Sequence, residues 1–195
     1  GTGARPSKDG LNAVGFPSGV AGVPAEVIES LSPVVMKRRE LRADSGGAGT
    51  WRGGLGQLTE FARRGEGRWS VSSIADRTAY PAPGLLGGQA GATGEVTLGD
   101  GTRLNAKALK DLKPGEVVHV NLPGGGGYGD PMRRDPGRVR WDVIEGYITP
   151  EKAEKNYGVA VRYNGKPDEL VRLPEQWSID REATAKLRQN MKAKT

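Results

Sequence analysis

Glycine constrains this chain more than any other feature. Thirty-one of its 195 residues are glycine, about 16% against a usual ~7%. They gather in four motifs: GTGARPSKDG at 1–10, DSGGAGTWRGGLG at 44–56, ADRTAYPAPGLLGGQAG at 75–91 and NLPGGGGYGDP at 121–131. A residue without a Cβ lets another backbone or a ligand come close. Clustered in this way, the glycines predict ordered loop chemistry rather than disorder. Glycine and proline together make up about 23% of the chain, just under the ~25–30% that marks low complexity.

Several classes drop out on composition. The apolar runs are shorter than the ~20 residues a membrane-spanning helix needs, and no basic-then-apolar signal segment opens the chain. There is no cysteine, so neither a disulfide framework nor a thiolate zinc site is available, which fits a cytoplasmic location. The single histidine, His119, argues against a His-rich metal site built from this chain alone. The net charge of +6 mixes basic with acidic residues, as in KRRELRAD at 37–44 and DPMRRDPGRVRWD at 130–142. Aromatic residues are 6% of the chain and show no stacking pattern, so nucleic acid is not the expected partner. The charge suits a basic surface facing an acidic partner subunit. An opening without Met reads as the middle of a larger polypeptide.

The coarse pattern predicts an α+β chain with a β-rich body, Gly-rich loops and C-terminal helices. Residues 1–24 read as loop. PAEVIES at 24–30 reads as a short helix begun by Pro24 and ended by Pro33. Strands are expected in 34–41, 55–64, 68–76, 94–104 and 115–123. The fourth of these is expected to be a hairpin with Asp100-Gly101 as a two-residue turn, both residues at positive φ. GRVRWDVIEGY at 137–147 reads as an amphipathic helix. TPEKAEKNYG at 149–158 carries Thr149 as N-cap, Pro150 at the first helical position and Gly158 as stop. A hairpin around Asn164-Gly165 and a last helix over 178–194 complete the tail. The expected division is a glycine-loop segment, 1–132, and a C-terminal extension of helices and hairpin, 133–195.

Each candidate site residue has a structural and a functional reading. Gly124, Gly126 and Gly129 satisfy G-x-G-x-x-G, but Asp130-Pro131 and Pro136 forbid the helix a dinucleotide site needs. What is left at Gly124, Gly125, Gly126 and Gly127 is either a tight backbone crossing or an anion-binding nest for substrate. Asp44 and Arg52 flank a flexible stretch. They could orient a polar substrate, or Asp44 could hold the turn. Arg5 and Arg77 could clamp an anion through their planar forks or be consumed in salt bridges. Asp9 could serve the turn at Gly10 or meet a reacting group. His119, in an alternating strand pattern, reads as a packed strand residue or a base. No nucleophile elbow and no P-loop occurs.

Read in order, GARPSKDG at 3–10, DSGGAGTWRGGLG at 44–56, PGLLGGQAG at 83–91 and PGGGGYGDP at 123–131 resemble the C-terminal part of the hydantoinase B / 5-oxoprolinase family. That family also includes the large subunits of acetone and acetophenone carboxylases. WDVIEGYITPEKAEKNYGV at 141–159 and IDREATAKLRQ at 179–189 fit the end of such subunits. The resemblance implies ATP-dependent opening of a hydantoin or lactam ring. ATP would be bound by a hydantoinase A-type partner whose phosphorylation of the amide oxygen makes the ring carbon electrophilic. The upstream part of the B-type subunit would be the second partner in a hetero-oligomer, with the ligands of any divalent metal mostly outside this segment and no metal ligand within it. The alternatives are a ketone carboxylase subunit and a non-catalytic interaction module. The resemblance carries over to Arg5, Asp9, Asp44, Arg52 and the Gly124–Gly127 loop. Their expected role is to shape or orient a catalytic site rather than to act as nucleophile.

Overall fold

The computed structural model describes residues 1–15, 19 and 22–193. Pro17 of the loop-like lead and Lys194 of the expected last helix lie outside the described residues. The chain is α+β. Helix α1 (Ala25–Leu31) begins after Pro24 and stops before Pro33. Strands β1 (Val34–Leu41), β2 (Gln57–Arg63), β3 (Trp69–Ile74), β4 (Glu95–Leu98), β5 (Lys107–Leu112) and β6 (Val117–Asn121) follow. An antiparallel sheet is ordered β1-β2-β6-β4, and β3 pairs with β5 in a second, two-stranded sheet. Between them lie buried Val96, Leu98, Leu112 and Val118, with Phe61, Trp69 and Val71 packed alongside. Alternation along β6 sends Val118 and Val120 to this core and His119 to the other face.

The tail has a core of its own. Helices α2 (Pro136–Ile144) and α3 (Pro150–Tyr157) are capped as the sequence predicts. Asp135 accepts from the Arg138 N–H, Thr149 from the Lys152 N–H, and Gly158 closes α3 at φ +61°. Strands β7 (Ala160–Tyr163) and β8 (Trp177–Asp180) pair antiparallel, and α4 (Arg181–Lys192) follows. Val139, Val143, Ile148, Ala153, Tyr157, Val159 and Val161 bury together, and Ala48 of the second glycine motif joins them.

Four expectations need correction. The 94–104 turn has three loop residues. Leu98 donates to the Thr102 carbonyl at 2.9 Å and accepts from Gly101 at 2.9 Å. Gly101 alone takes positive φ (+86°) while Asp100 does not, because a type I turn closed by a left-handed glycine meets the same strand twist. The return arm is only a bridge, Thr97 to Arg103. The chain then leaves to form β5, which was not expected: Leu112 is the sole buried residue of KALKDL, so no alternation marks it. No hairpin closes at Asn164-Gly165, because β7 pairs instead with Trp177–Asp180. That pairing turns the first residues of the expected last helix into a strand, with Asp180 capping α4 through the Ala183 N–H.

The glycine motifs assemble into one crossing. Gly124–Gly127 belongs to no helix and to no pleated sheet. A Cβ on Gly124 would strike the Ser45 carbonyl, on Gly125 that of Thr2, on Gly126 that of Pro83 and on Gly127 that of Ala48, all closer than 3.0 Å. Gly124 and Gly127 thus face one segment and the two glycines between them face two others. A repeat of three residues per turn is that of a polyproline-II helix, which makes no internal hydrogen bonds. Its polar groups therefore go to the neighbours. Gly124, Gly125 and Gly127 donate to the carbonyls of Ala92, Gly54 and Gln89 at 3.1, 2.9 and 2.9 Å. The carbonyls of Gly125, Gly126 and Gly127 accept from Gly47, Ala4 and Leu85, each at 2.9 Å.

Candidate functional site

Where the tail meets the crossing, four charged side chains come together. Arg134, fixed just after the 3-10 turn Pro131–Arg133, is buried. It grips Asp9 with both Nη atoms, at 2.7 and 2.8 Å, and Asp142 of α2 at 2.8 Å. Its Nη1 also donates to the Thr50 carbonyl at 3.1 Å. Arg52 is buried beside it, with Nε 3.3 Å from Asp142 and its guanidinium 5.0 Å from the centre of the Tyr147 ring. Asp9 also accepts from the Arg52 backbone N–H at 2.7 Å. Arg188 of α4 reaches the Arg134 carbonyl at 3.0 Å, so the last helix closes over the cluster. A cleft of about 420 Å³ opens onto Asp9, Arg52, Arg138 and Trp141.

The electrostatics follow from these contacts. Burial alone would raise the Asp9 carboxyl, but the Arg134 hydrogen bonds and charge, with the Arg52 N–H and charge, outweigh it and hold it below the ordinary carboxylate value. Burial pushes the Tyr157 phenol well up. The Asp9 shift fixes a sign. Its contribution to stability is complete above the unfolded-state value of ~3.9 and disappears as pH falls through the lower folded-state value. Urea midpoints measured from pH 5 downward should therefore fall less steeply for Asp9→Asn than for the wild type. Parallel curves would refute the assignment.

Asp44 has a different task. It sits at φ +59°, its N–H donates to the Tyr147 carbonyl at 3.0 Å, and its carboxylate accepts from the Thr149 N–H at 2.8 Å and the Thr149 hydroxyl at 3.0 Å. It thereby ties the second glycine motif to the start of α3. Asp44→Ala should cost about 2 kcal/mol, by removing two bonds and leaving alanine in the left-handed region. Asp44→Asn keeps an acceptor and tolerates that backbone, so it should cost under ~1 kcal/mol. Equal losses in thermal or urea unfolding would contradict this.

The other predicted residues lie elsewhere. Arg5 is exposed, in a tight bridge to Lys8. Arg77 is exposed on the rim of a cleft of about 480 Å³, floored by Gly1, Thr2, Gly3, Gly124 and Gly125. His119 lies on the outer face of the larger sheet, its Nδ1 3.3 Å from Glu60, which also meets Arg38 at 3.2 Å. The structure thus joins Asp9 to Arg52, sets Asp44 in its own tie, and puts Arg77 with the glycine run at the cleft. The sequence reading missed Arg134, Asp142 and Tyr157. Asp142 carried a signal: it falls on the helix stripe of Val139 and Val143, where a charge needs a buried partner.

The glycine run does not fit a nucleotide phosphate, because three of its four amides already donate to protein carbonyls. Among the described residues no group of three or more His, Asp or Glu side chains is placed to hold a metal ion. None of their helices is long and apolar enough to cross a membrane.

The family model Hydantoinase B/oxoprolinase matches residues 1–131. The caprolactamase subunit beta of Pseudomonas jessenii is 36% identical over 185 residues, covering 88% of this chain and 31% of its own. The crystal structure of the ATP-dependent caprolactamase of that organism superposes with a TM-score of 0.74 at 32% identity, over 97% of this chain and 32% of that one. The acetophenone carboxylase delta subunit of Aromatoleum aromaticum is 30% identical over 195 aligned residues, 82% of this chain and 28% of its own. The chain spans less than a third of the length of the curated relatives it matches. These relatives are subunits of multi-chain enzymes, and the chain, with its glycine crossing built from all four motifs, belongs to the hydantoinase B/oxoprolinase family.

Proposed function

We propose that this chain is the C-terminal segment of the B-type subunit of an ATP-dependent cyclic amidohydrolase, which opens a lactam or hydantoin ring in the cytoplasm. The observation that carries the reading is the likeness to caprolactamase in both sequence and fold over 97% of the chain. In this reading ATP belongs to a hydantoinase A-type subunit, and the ligands of any divalent metal lie mostly in the upstream part of the B-type subunit. Residues 1–132 frame the pocket and residues 133–195 brace it. Asp9, Asp44 and Arg52 act as positioning residues. Each fixes a glycine segment to the tail, and a shift of about 1 Å in such a frame is enough to cost ~100-fold in rate. Arg77, Gly124 and Gly125 border the cleft where this chain meets substrate, with Arg5 outside it.

A second reading, a subunit of a ketone carboxylase, is favoured by the identity to the acetophenone carboxylase delta subunit. The assembled complex separates the two. ATP-dependent ring opening of a lactam or hydantoin without bicarbonate supports the amidohydrolase. Bicarbonate-dependent consumption of a ketone, with no ring opening, overturns it.

A further inference from the structure

The Asn164-Gly165 step closes no hairpin, and the fold leaves it chemically open. Asn164 follows directly on β7 and is exposed. Its N–H donates to the Gln176 carbonyl at 2.7 Å, and its side-chain amide donates to the Ser178 hydroxyl at 2.9 Å. Among the described residues none accepts from the Gly165 N–H. An unengaged backbone nitrogen thus stands beside a carboxamide held by one exposed hydrogen bond.

These two groups can react. A backbone nitrogen that follows asparagine attacks the side-chain carbonyl carbon, because both belong to one short stretch of chain. Glycine presents no Cβ to hinder the approach. The new bond joins the Gly165 nitrogen to Asn164 Cγ and closes a cyclic imide. The side-chain nitrogen leaves as ammonia, its third hydrogen replacing the proton lost from Gly165. Water then opens the imide at either carbonyl and gives aspartate or isoaspartate, the latter with the main chain running through the side-chain carboxyl. The chain has six asparagines, and Asn164 alone precedes glycine.

The surroundings set the consequence. The Tyr163 hydroxyl and the Gln176 side-chain amide both bond the Glu169 carboxylate, each at 2.6 Å. A Cβ on Gly165 would fall closer than 3.0 Å to that hydroxyl and that carboxylate. Isoaspartate lengthens the main chain by one carbon at this point and drives Gly165 against the pair. The same loop carries Arg172, whose guanidinium lies 4.8 Å from the centre of the Tyr163 ring. It ends at the carbonyls of Pro174 and Trp177, which hold Arg140 of α2. α2 in turn carries Asp142 of the buried cluster.

We propose that Asn164 is a site of spontaneous deamidation, restrained by Ser178, and that its isoaspartyl product loosens the 164–176 loop that braces α2. The inference is independent of which reaction the complex performs.

The test ages the complete complex that contains this chain at mildly alkaline pH and maps its peptides by mass spectrometry. Asn164 should gain one mass unit about tenfold faster than any other asparagine, and the rate should rise with pH. Ser178→Ala should speed the gain about two- to tenfold, the worth of one hydrogen bond. Ser178→Thr, which keeps the hydroxyl, should match the wild type. Trypsin should cut after Arg172 faster in the isoaspartyl fraction than in fresh complex. Asn164→Asp keeps the main chain and can accept from the Ser178 hydroxyl, so it should be cut like the wild type. No gain at Asn164, a gain no faster than at the other asparagines, or a rate unmoved by Ser178→Ala each overturns the site. Equal cleavage of the isoaspartyl fraction and fresh complex overturns the consequence drawn for the loop.

Discussion

Gly125→Ala is expected to destabilise the protein by more than ~3 kcal/mol, beyond the 1–3 kcal/mol usual for overpacking a core. The added methyl would meet the Thr2 carbonyl and the Gly3 nitrogen, both closer than 3.0 Å. Both are backbone, so no rotamer change relieves the clash. Gly125 also donates to Gly54 and accepts from Gly47, so moving it away breaks two bonds to the second motif as well. Thr2, Gly47 and Gly54 sit in the first and second motifs, and the fourth would come away from both. Gly3→Ala, next to the same segment but with open space around it, should cost under ~0.5 kcal/mol. Urea unfolding of the intact protein measures both. A Gly125→Ala cost below ~1 kcal/mol would mean the segments are not packed as described.

Arg134→Met is the second large effect, at about 3–5 kcal/mol. The guanidinium serves Asp9 and Asp142 at once, and Asp142 is 4% exposed. Methionine fills similar space but leaves the Asp142 carboxylate buried with only Arg52 beside it, at 3.3 Å. Breaking one partner of a buried ionic group costs far more than replacing the group whole. The double variant Arg134→Met/Asp142→Leu should therefore recover part of the loss. Surface pairs such as Lys186–Glu182, both more than two-thirds exposed, should shift stability by no more than ~0.5 kcal/mol when cut. A double variant less stable than Arg134→Met alone would show that Asp142 does more than answer Arg134.

In the proposed site, the two effects differ in kind. The glycine crossing sets the floor of the cleft, because Gly124 and Gly125 are both crossing residues and lining residues. The Arg134 cluster lies on the tail side and holds Asp9 and Arg52, which flank that crossing. Loss of either should lower activity of the complex through misplacement rather than through removal of a group that touches substrate.

Much was legible from local pattern. Caps announced α2 and α3: Asp135 and Thr149 each accept from an N–H three residues on, and Gly158 stops α3 in the left-handed region. Alternation marked β6, and the glycine motifs marked the crossing and the family. These signals are local because each depends on neighbours a few residues away. What β7 would pair with was not, since Trp177–Asp180 arrives from beyond a loop and wins that edge over the nearer Asn164-Gly165 turn. Nor was β5, whose exposed strand carries no alternation.

The same division holds at the site. Sequence alone determined that four glycine segments would allow close backbone contact, and it singled out Asp9, Asp44, Arg52 and Arg77 as charges beside them. Only the tertiary structure decided that Asp9 and Asp44 would be spent on Arg134 and Thr149, 125 and 105 residues away, while Arg77 stayed exposed. A side chain's chemistry is written in its own residue, but whether that chemistry is used up depends on which distant partner the fold brings within about 3 Å.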